Sequence, residues 1–220
     1  MDRTAMVLGA TGLVGREVTG ELLRGGWREV RTLTRRPLDV ENGRLSQHLI
    51  DWERLDEYGG LFEGVDALFC CLGTTIKQAG SQANFERVDL EYPLKAAKLA
   101  HRAGVKQLLV VSAMGANPRS RQFYSRTKGR MEEGLSQSGI PGVHLFRPSL
   151  LLGERDEFRR GERAAAFLMT RLEFLMVGRV AKYRAVKGSA VARAMVHIAD
   201  ASLPGIHVYP NDVIRALGLQ

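Results

Sequence analysis

The amino-acid sequence predicts an α/β fold in which a doubly wound parallel sheet carries helices on both faces. Two observations predict it. Short apolar runs alternate with amphipathic segments over residues 4–148, and a glycine-rich turn, GATGLVG at residues 9–15, joins the first run to the first amphipathic segment. Strands and helices that alternate in this way, joined by short right-handed connections, form a parallel sheet covered on both faces.

The predicted strands are short runs rich in Val, Leu, Ile and aromatic residues, bounded by glycine, proline or charged residues. Six of them are expected in the alternating part of the chain, at residues 4–9, 29–35, 47–52, 65–73, 106–113 and 142–148. Apolar residues at helical spacing predict the helices between these strands, at residues 12–26, 54–64, 82–102 and 120–135.

Beyond residue 150 the alternation weakens. Helices are expected at residues 159–176 and 189–199, and a short strand at 205–210. At 220 residues the chain is long enough for one α/β domain and too short for two of ordinary size. We therefore expect a single domain over residues 1–220, in which residues 150–220 contribute a small annex on the substrate side.

Composition narrows the class of protein. The chain is 45% hydrophobic and 25% charged, with no apolar run near the roughly 18 residues that a membrane span needs. We expect no stable membrane insertion, and, because the first residues lack an export signal, a cytoplasmic location. The net charge of +8 raises the question of nucleic acid, but the arginines are spread along the chain without a basic block. We expect no nucleic-acid partner, and a basic surface also suits an anionic cofactor.

Cysteine and histidine residues give no sign of a metal site or a disulfide framework. Cys70 and Cys71 are adjacent within an apolar run, which is typical of buried strand thiols. The five histidines are scattered without ligand spacing, so no metal is expected.

The turn GATGLVG stands after the first predicted strand and opens the first predicted helix, which is the context that a dinucleotide-binding turn requires. Its spacing is G-x-x-G-x-x-G. Gly9 permits the tight turn, Gly12 lets the backbone approach a pyrophosphate at the helix N-terminus, and Gly15 lets helix and strand pack closely. The turn predicts a Rossmann-type nucleotide site; a glycine turn without a ligand is the alternative.

Two arginines end the second predicted strand, where dinucleotide-binding folds often place an acidic residue for the ribose hydroxyls. Arg35 and Arg36 stand there without a carboxylate, and guanidinium groups match phosphate geometry. This favours NADPH over NADH. Two solvated arginines in a loop are the alternative.

Tyr124 and Lys128 stand four residues apart in a predicted helix, so both side chains lie on one face, one turn apart. They are either a catalytic acid with its activating cation or an aromatic and a basic residue on a solvated helix. The spacing alone does not decide, because it arises by chance too often.

Several segments carry a resemblance to a known family: GATGLVGREV, TRRP, CCLGTTIKQAGSQANFERVDLEYPLKAAKLA, VVSAMGAN, YSRTKGR and FRPSLLLGER. Their order and spacing resemble the short-chain dehydrogenase/reductase superfamily, and nearly the whole chain is similar to its atypical branch with the Tat-interacting oxidoreductase-like proteins. The resemblance implies an NADPH-binding Rossmann fold with the triad Ser112, Tyr124 and Lys128.

The resemblance also implies a set of cofactor contacts. They are Gly9, Thr11, Gly12, Leu13 and Val14 at the pyrophosphate; Arg35 and Arg36 at the 2′-phosphate; Asp51 and Trp52 beside the adenine; Cys71, Leu72, Gly73 and Thr74 at the adenosine ribose; Tyr124 and Lys128 at the nicotinamide ribose; and the turn from Arg147 to Leu150 at the nicotinamide. One position departs from the family pattern. Many relatives have an asparagine on the long helix after the fourth strand, and this chain has Asp89 there.

The leading functional hypothesis is an NADPH-dependent oxidoreductase that transfers hydride to a carbonyl or related small electrophile. Tyr124 would be the general acid, Lys128 the cation that favours the ionised phenol and binds the ribose, and Ser112 the group that orients the carbonyl oxygen. The alternative is a non-catalytic NADPH-binding redox sensor or scaffold. The bulky segment at residues 164–178 is open to three interpretations: a substrate lid, a dimer contact or core. The partners expected are a small-molecule substrate and, as oligomeric state, a monomer or homodimer.

Overall fold

In the computed structural model of the chain, residues 2–153 and 183–219 are described. Within them, seven strands form a parallel sheet in the order β3-β2-β1-β4-β5-β6-β9, and two short strands, β7 and β8, pair beside it. The strands are β1 Thr4–Leu8, β2 Glu29–Thr34, β3 Leu45–Leu49, β4 Ala67–Cys70, β5 Gln107–Val111, β6 Gly142–Arg147, β7 Leu151–Leu152, β8 Val186–Lys187 and β9 Gly205–Pro210. The predicted doubly wound sheet is confirmed.

Helices connect the strands and cover both faces of the sheet. They are α1 Leu13–Arg24, a 3₁₀ helix Trp52–Phe62, α2 Ile76–Ala79, α3 Gln82–Glu86, a π-helical turn Arg87–Glu91, α4 Tyr92–Arg102, α5 Phe123–Ser136, α6 Gly188–Ala201 and α7 Asn211–Leu217. The helix predicted at 82–102 is thus present with a widened π-helical turn in its middle. The helix predicted at 159–176 lies outside the described residues.

The core has two layers because successive strand residues point to opposite faces of the sheet. One layer packs Leu68 and Leu108 against α4 and α5 through residues such as Ala96 and Leu135. The other packs Phe69 and Leu109 against α1 and α6, which lie side by side on that face. Burial of each large apolar side chain contributes about 1.5–3 kcal/mol, so the strand ends that carry the site are firmly fixed.

The C-terminal part of the chain differs from the expected annex. β9 is the seventh strand of the main sheet and pairs with β6, and α6 covers the sheet beside α1. β9 is an edge strand with Ile206 and Val208 exposed, so it lacks the buried pattern by which the central strands are recognised in the sequence. Much of the predicted annex therefore belongs to the Rossmann layers.

The third strand also differs from its predicted position, since β3 ends at Leu49 and not at residue 52. Ile50 and Trp52 were included in the predicted strand because they are apolar, but both are core residues that follow the strand. Within the described ranges, no helix is long and apolar enough to cross a membrane.

Candidate active site

The glycine turn between β1 and α1 lies where the chain order of the strands reverses, which is where open parallel sheets bind ligands. Gly9 has a φ of 77°, and a Cβ added there would approach the carbonyl oxygen of Cys71 to 2.6 Å. A side chain at Gly9 would thus be strained by its backbone conformation and would collide with the end of β4. The turn holds the ends of β1 and β4 in close contact.

The first backbone amide groups of α1 can bind an anionic ligand. Gly12 is the N-cap, is exposed, and provides no side-chain hydrogen bond to the first turn. The first N–H groups of a helix have no intrahelical partner and favour anions, so this end fits a pyrophosphate. Leu13 packs against Gly153 and Gly188, and Val14 lies in the core, so both would serve through their backbone. Thr11 is half-buried within the turn.

Arg35 and Arg36 follow the carboxyl end of β2, and both are exposed. Within residues 2–153 and 183–219, neither guanidinium forms a hydrogen bond or an ion pair. Two uncommitted guanidinium groups at this edge suit the phosphate that the sequence predicts for them.

Asp51 and Trp52 stand at the start of the 3₁₀ helix. The Asp51 carboxylate accepts a hydrogen bond of 3.0 Å from the amide of Glu53, which caps the helix. Trp52 is only 6% exposed and stacks on Tyr92 with ring centroids 5.5 Å apart. The structure therefore places Trp52 in the core, with little of its ring left for an adenine. Its apolar bulk explains its burial, whereas the adenine contact was expected from the family resemblance alone.

The loop after β4 carries Cys71, Leu72, Gly73 and Thr74. The amide of Cys71 donates to the carbonyl of Leu8 at 2.9 Å, which continues the ladder between β4 and β1. Burial raises the pKa of the Cys70 thiol to about 11 and raises that of Cys71 well above its ordinary value. Both thiols are protonated at neutral pH, so neither is a reactive nucleophile.

Lys128 is buried and paired. Its ammonium lies 2.8 Å from Asp89 Oδ1, with exposed side-chain fractions of 5% and 1%. The amide of Thr74 donates to Asp89 Oδ2 at 2.8 Å, so one carboxylate joins the loop after β4 to α5. Asp89 sits in the π-helical turn, a distortion that is frequent at functional sites.

Tyr124 stands in the first turn of α5, with 41% of its side chain exposed and its ring against Phe85, whose centroid is 5.7 Å away. Burial lowers the pKa of Lys128, but the opposing influence of Asp89, followed by that of Tyr124, raises it above its ordinary value overall. Lys128 is therefore a permanent cation at neutral pH, one helical turn from an accessible phenol.

Ser112 follows β5 directly, at the same carboxyl edge of the sheet. Its amide donates to the carbonyl of Phe146 at 2.7 Å. Its Oγ is buried and has no hydrogen-bond partner among the described residues. Buried hydroxyls are normally hydrogen-bonded, so this one fits a ligand oxygen. Together with the uncapped α1 terminus, it makes the residues at this edge suit a nicotinamide dinucleotide and a small substrate.

Arg147 and Leu150 are placed differently from each other. The Arg147 guanidinium donates to both carboxylate oxygens of Glu132 on α5, at 2.9 Å from Nε and 2.5 Å from Nη2. Leu150 is exposed. The side chain of Arg147 is thus engaged with α5, so any contact of this residue with the nicotinamide would involve its backbone.

Gly129 was not singled out in the sequence, yet it sets the position of α5. A Cβ there would overlap backbone atoms of Asn117 and Pro118, in the loop between β5 and α5. The amide of Asn117 also donates to the carbonyl of Ser125 at 3.0 Å, so loop and helix are in direct contact. Only a glycine at position 129 allows Tyr124 and Lys128 to sit this close to the loop that begins at Ser112.

Gly129→Ala is expected to lower the free energy of unfolding by at least about 1–3 kcal/mol, since the overlapping atoms belong to backbone that cannot rotate away. Urea denaturation measures the change. Gly43→Ala is the matched control, because a Cβ at Gly43 meets nothing within 4 Å. Equal denaturation midpoints for the two variants would contradict the packing argument.

Two further groups were missed or only partly recognised. Phe85 supports the Tyr124 ring, and Glu132 holds Arg147. Both stand on amphipathic helices, where an aromatic or acidic residue carries no special signal. In the part of the chain that the structure describes, no three His, Cys, Asp or Glu side chains come together as a metal site.

Comparison with known proteins places the chain in a family that binds a nicotinamide nucleotide. A family model for NAD(P)H-binding proteins matches residues 9–201. Protein HTATIP2 of Rattus norvegicus is 37% identical over 165 residues, which cover 73% of this chain and 68% of that protein. Protein FMP52-1, mitochondrial, of Scheffersomyces stipitis is 35% identical over 158 residues, covering 70% of this chain and 69% of that protein.

Solved structures share the fold at lower identity. The Bordetella bronchiseptica enzyme WbmH, in complex with NAD+, has a TM-score of 0.73 and 16% identity, covering 96% of this chain and 75% of that one. The oxidoreductase ylbE from Lactococcus lactis has a TM-score of 0.69 and 15% identity, covering 99% and 97%. The solved structures show the fold, and the family model and the sequence relatives show that the chain belongs to the NAD(P)H-binding, atypical short-chain dehydrogenase/reductase family that includes HTATIP2.

Proposed function

We propose that this protein is an NADPH-dependent oxidoreductase that reduces a carbonyl or related small electrophile. The observation that carries the proposal is the buried, charged Lys128 one turn from the accessible Tyr124. A fixed cation beside the reacting groups stabilises negative charge that develops on oxygen during the reaction. When bound, the cofactor supplies the hydride.

Residues of the chain would donate the proton, orient the substrate oxygen and bind the ribose. Tyr124 donates a proton to the substrate oxygen, and the Ser112 Oγ, which has no partner among the described residues, orients that oxygen by a hydrogen bond. An ammonium has three donors, and Asp89 Oδ1 takes one of them, so Lys128 can still donate to the ribose hydroxyls. The exposed side of Tyr124 is where substrate would enter.

The test is reduction of a panel of aldehydes, ketones and quinones, followed by the loss of NADPH absorbance. We expect at least one carbonyl to be reduced. Tight NADPH binding without any turnover across the panel would contradict the proposal and would favour a non-catalytic NADPH-binding sensor or scaffold.

NADPH is expected to bind at least tenfold more tightly than NADH, because Arg35 and Arg36 form no hydrogen bond or ion pair with the other described residues and can bind the 2′-phosphate. Hydrogen bonds to charged groups contribute about 1.5–3 kcal/mol, and about 1.4 kcal/mol corresponds to tenfold in affinity. Calorimetric titration of both cofactors measures the preference. The double Arg35→Ala, Arg36→Ala variant should lose it.

The control for lost surface charge is Arg102→Ala, at the end of α4, which should keep the preference for NADPH. Equal affinities for both cofactors in the native protein, or a preference that survives the double substitution, would refute the assignment of the two arginines.

Location and assembly are also proposals. The fungal relatives are named mitochondrial, so a cytoplasmic location for this chain awaits imaging of the tagged protein in its own cells. Whether the protein is a monomer or a homodimer is measured directly by light scattering of the purified chain.

A further inference from the structure

Asp89 is the most deeply buried carboxylate in the candidate site. Its side chain is 1% exposed, and both oxygens are used: Oδ1 by the Lys128 ammonium and Oδ2 by the Thr74 amide, each at 2.8 Å. The two partners belong to two different parts of the predicted cofactor site. A Cβ at the neighbouring Gly73 would lie 3.6 Å from Asp89 Oδ1, so the loop also packs closely on this carboxylate.

We propose that Asp89 is a positioning residue that keeps Lys128 charged and fixes it, together with the Thr74 loop, in the arrangement that receives the cofactor. The proposal rests on the proposed function for the assignment of Lys128 to the ribose. It goes beyond that function because it makes the carboxylate at position 89 a required part of this site.

The surroundings of Lys128 leave Asp89 as its only close counter-charge among the described residues. The titratable groups that face the ammonium are Asp89 from the π-helical turn, Tyr124 from α5 and Cys70 from the end of β4. Burial holds the pKa of Cys70 at about 11, so this thiol is neutral over the working range of pH. A fully buried ammonium without a counter-ion loses its proton readily, because burial disfavours the charged form.

The carboxylate reaches both partners from a π-helical turn. This turn, Arg87–Glu91, follows α3 and precedes α4, and Asp89 within it lies between the β4 loop and α5. Removing a carboxylate from water costs free energy, even when both of its oxygens have hydrogen-bonding partners. Packing alone therefore does not account for a buried Asp89 in a distorted helical turn.

The experiment compares Asp89→Asn with the native protein for NADPH binding, by fluorescence, between pH 6 and pH 10. Asparagine keeps the shape and can still accept from Thr74, but it removes the charge. We expect affinity at pH 7 to fall about tenfold. We also expect the alkaline loss of binding to begin at least about one pH unit lower than in the native protein, because Lys128 deprotonates earlier without its counter-ion.

Glu86→Gln is the matched control. Glu86 lies three residues earlier and pairs with Arg130 at 2.9 Å, but this pair is largely exposed, so its loss should leave the pH profile unchanged. An Asp89→Asn variant with the native pH profile would show that Asp89 only fills space. Binding is the readout, so a protein that binds NADPH but reduces no carbonyl would refute the proposed activity without affecting this test.

Asp89→Glu covers the case in which Asp89→Asn does not fold. It keeps the charge and lengthens the side chain by one carbon, so Lys128 stays charged but is displaced. We expect the pH profile to stay native while NADPH affinity falls by about tenfold. Native affinity in Asp89→Glu would contradict a positioning role.

Discussion

Tyr124→Phe is expected to lower turnover by about 10²- to 10⁴-fold while NADPH affinity stays nearly unchanged. The substitution removes one phenolic oxygen. The Phe85 contact that supports the ring is retained, and the hydroxyl forms no hydrogen bond with another described residue. Loss of a general acid acts on the reaction step and spares cofactor binding, so the maximal rate should fall and the dissociation constant should not. Steady-state kinetics on the best carbonyl of the panel and a parallel NADPH titration measure both.

Tyr209→Phe is the matched control for Tyr124→Phe. It removes the same oxygen atom from a tyrosine on the edge strand β9, where the hydroxyl lies 3.1 Å from His144 Nδ1. Turnover in this variant should stay within about twofold of the native value. If Tyr124→Phe reduces the carbonyl as fast as the control does, the tyrosine is an exposed aromatic residue and not the acid.

The backbone of the nucleotide site could be predicted from the sequence because glycines report conformation directly. Gly9 has the positive φ that the turn requires, and Gly12 and Gly15 stand where the helix begins and packs. The alternation of apolar runs likewise predicted the central strands, because buried parallel strands are apolar on both faces. These features depend on local chain geometry, which the sequence expresses within a few residues.

The side-chain partners could not be predicted in the same way. Trp52 and Arg147 were predicted beside the cofactor. In the structure Trp52 stacks on Tyr92 and Arg147 binds Glu132, and the motifs in the sequence indicate neither of these partners. The strand predicted at residues 205–210 is present as β9, but its place as the seventh strand of the main sheet was not predicted, because a half-exposed strand lacks the apolar run of the central ones. When tertiary contacts determine how a side chain is oriented, a sequence motif predicts where the residue lies in the chain. It does not predict which residues the side chain contacts.

Asp89 illustrates the boundary between the two kinds of prediction. Its register on the long helix was visible in the sequence, where it read as a departure from the family pattern. It is buried and paired with Lys128 within a π-helical turn, and no residue type in that turn predicts a π-helix. The departure from the family's residue type therefore indicated the position of Asp89 in the site. Its contacts could be identified only from the folded structure.

Lys128→Met is expected to lower the free energy of unfolding by about 3–5 kcal/mol at pH 7, because it leaves the Asp89 carboxylate buried without its cation. The matched control is Arg130→Met on the same helix, whose ion pair with Glu86 is largely exposed and contributes about 0–1 kcal/mol. Chemical denaturation of both variants gives the comparison. If the two lose equally little stability, the buried pair does not hold α5 against the π-helical turn.

The dependence of this deficit on pH follows from the charges. The pKa of Lys128 is raised in the folded protein, so the native pair stabilises fully below the unfolded value of about 10.4 and is lost only as the pH rises through the raised pKa. The deficit of Lys128→Met relative to the native protein should therefore shrink as the pH rises through the raised pKa of Lys128, where the native pair is lost as well. Adding Asp89→Asn to Lys128→Met should recover much of the lost stability, because removing both charges of a buried pair costs less than removing one. Stability restored in the double variant while NADPH binding remains weak would separate the structural role of the pair from its role at the cofactor.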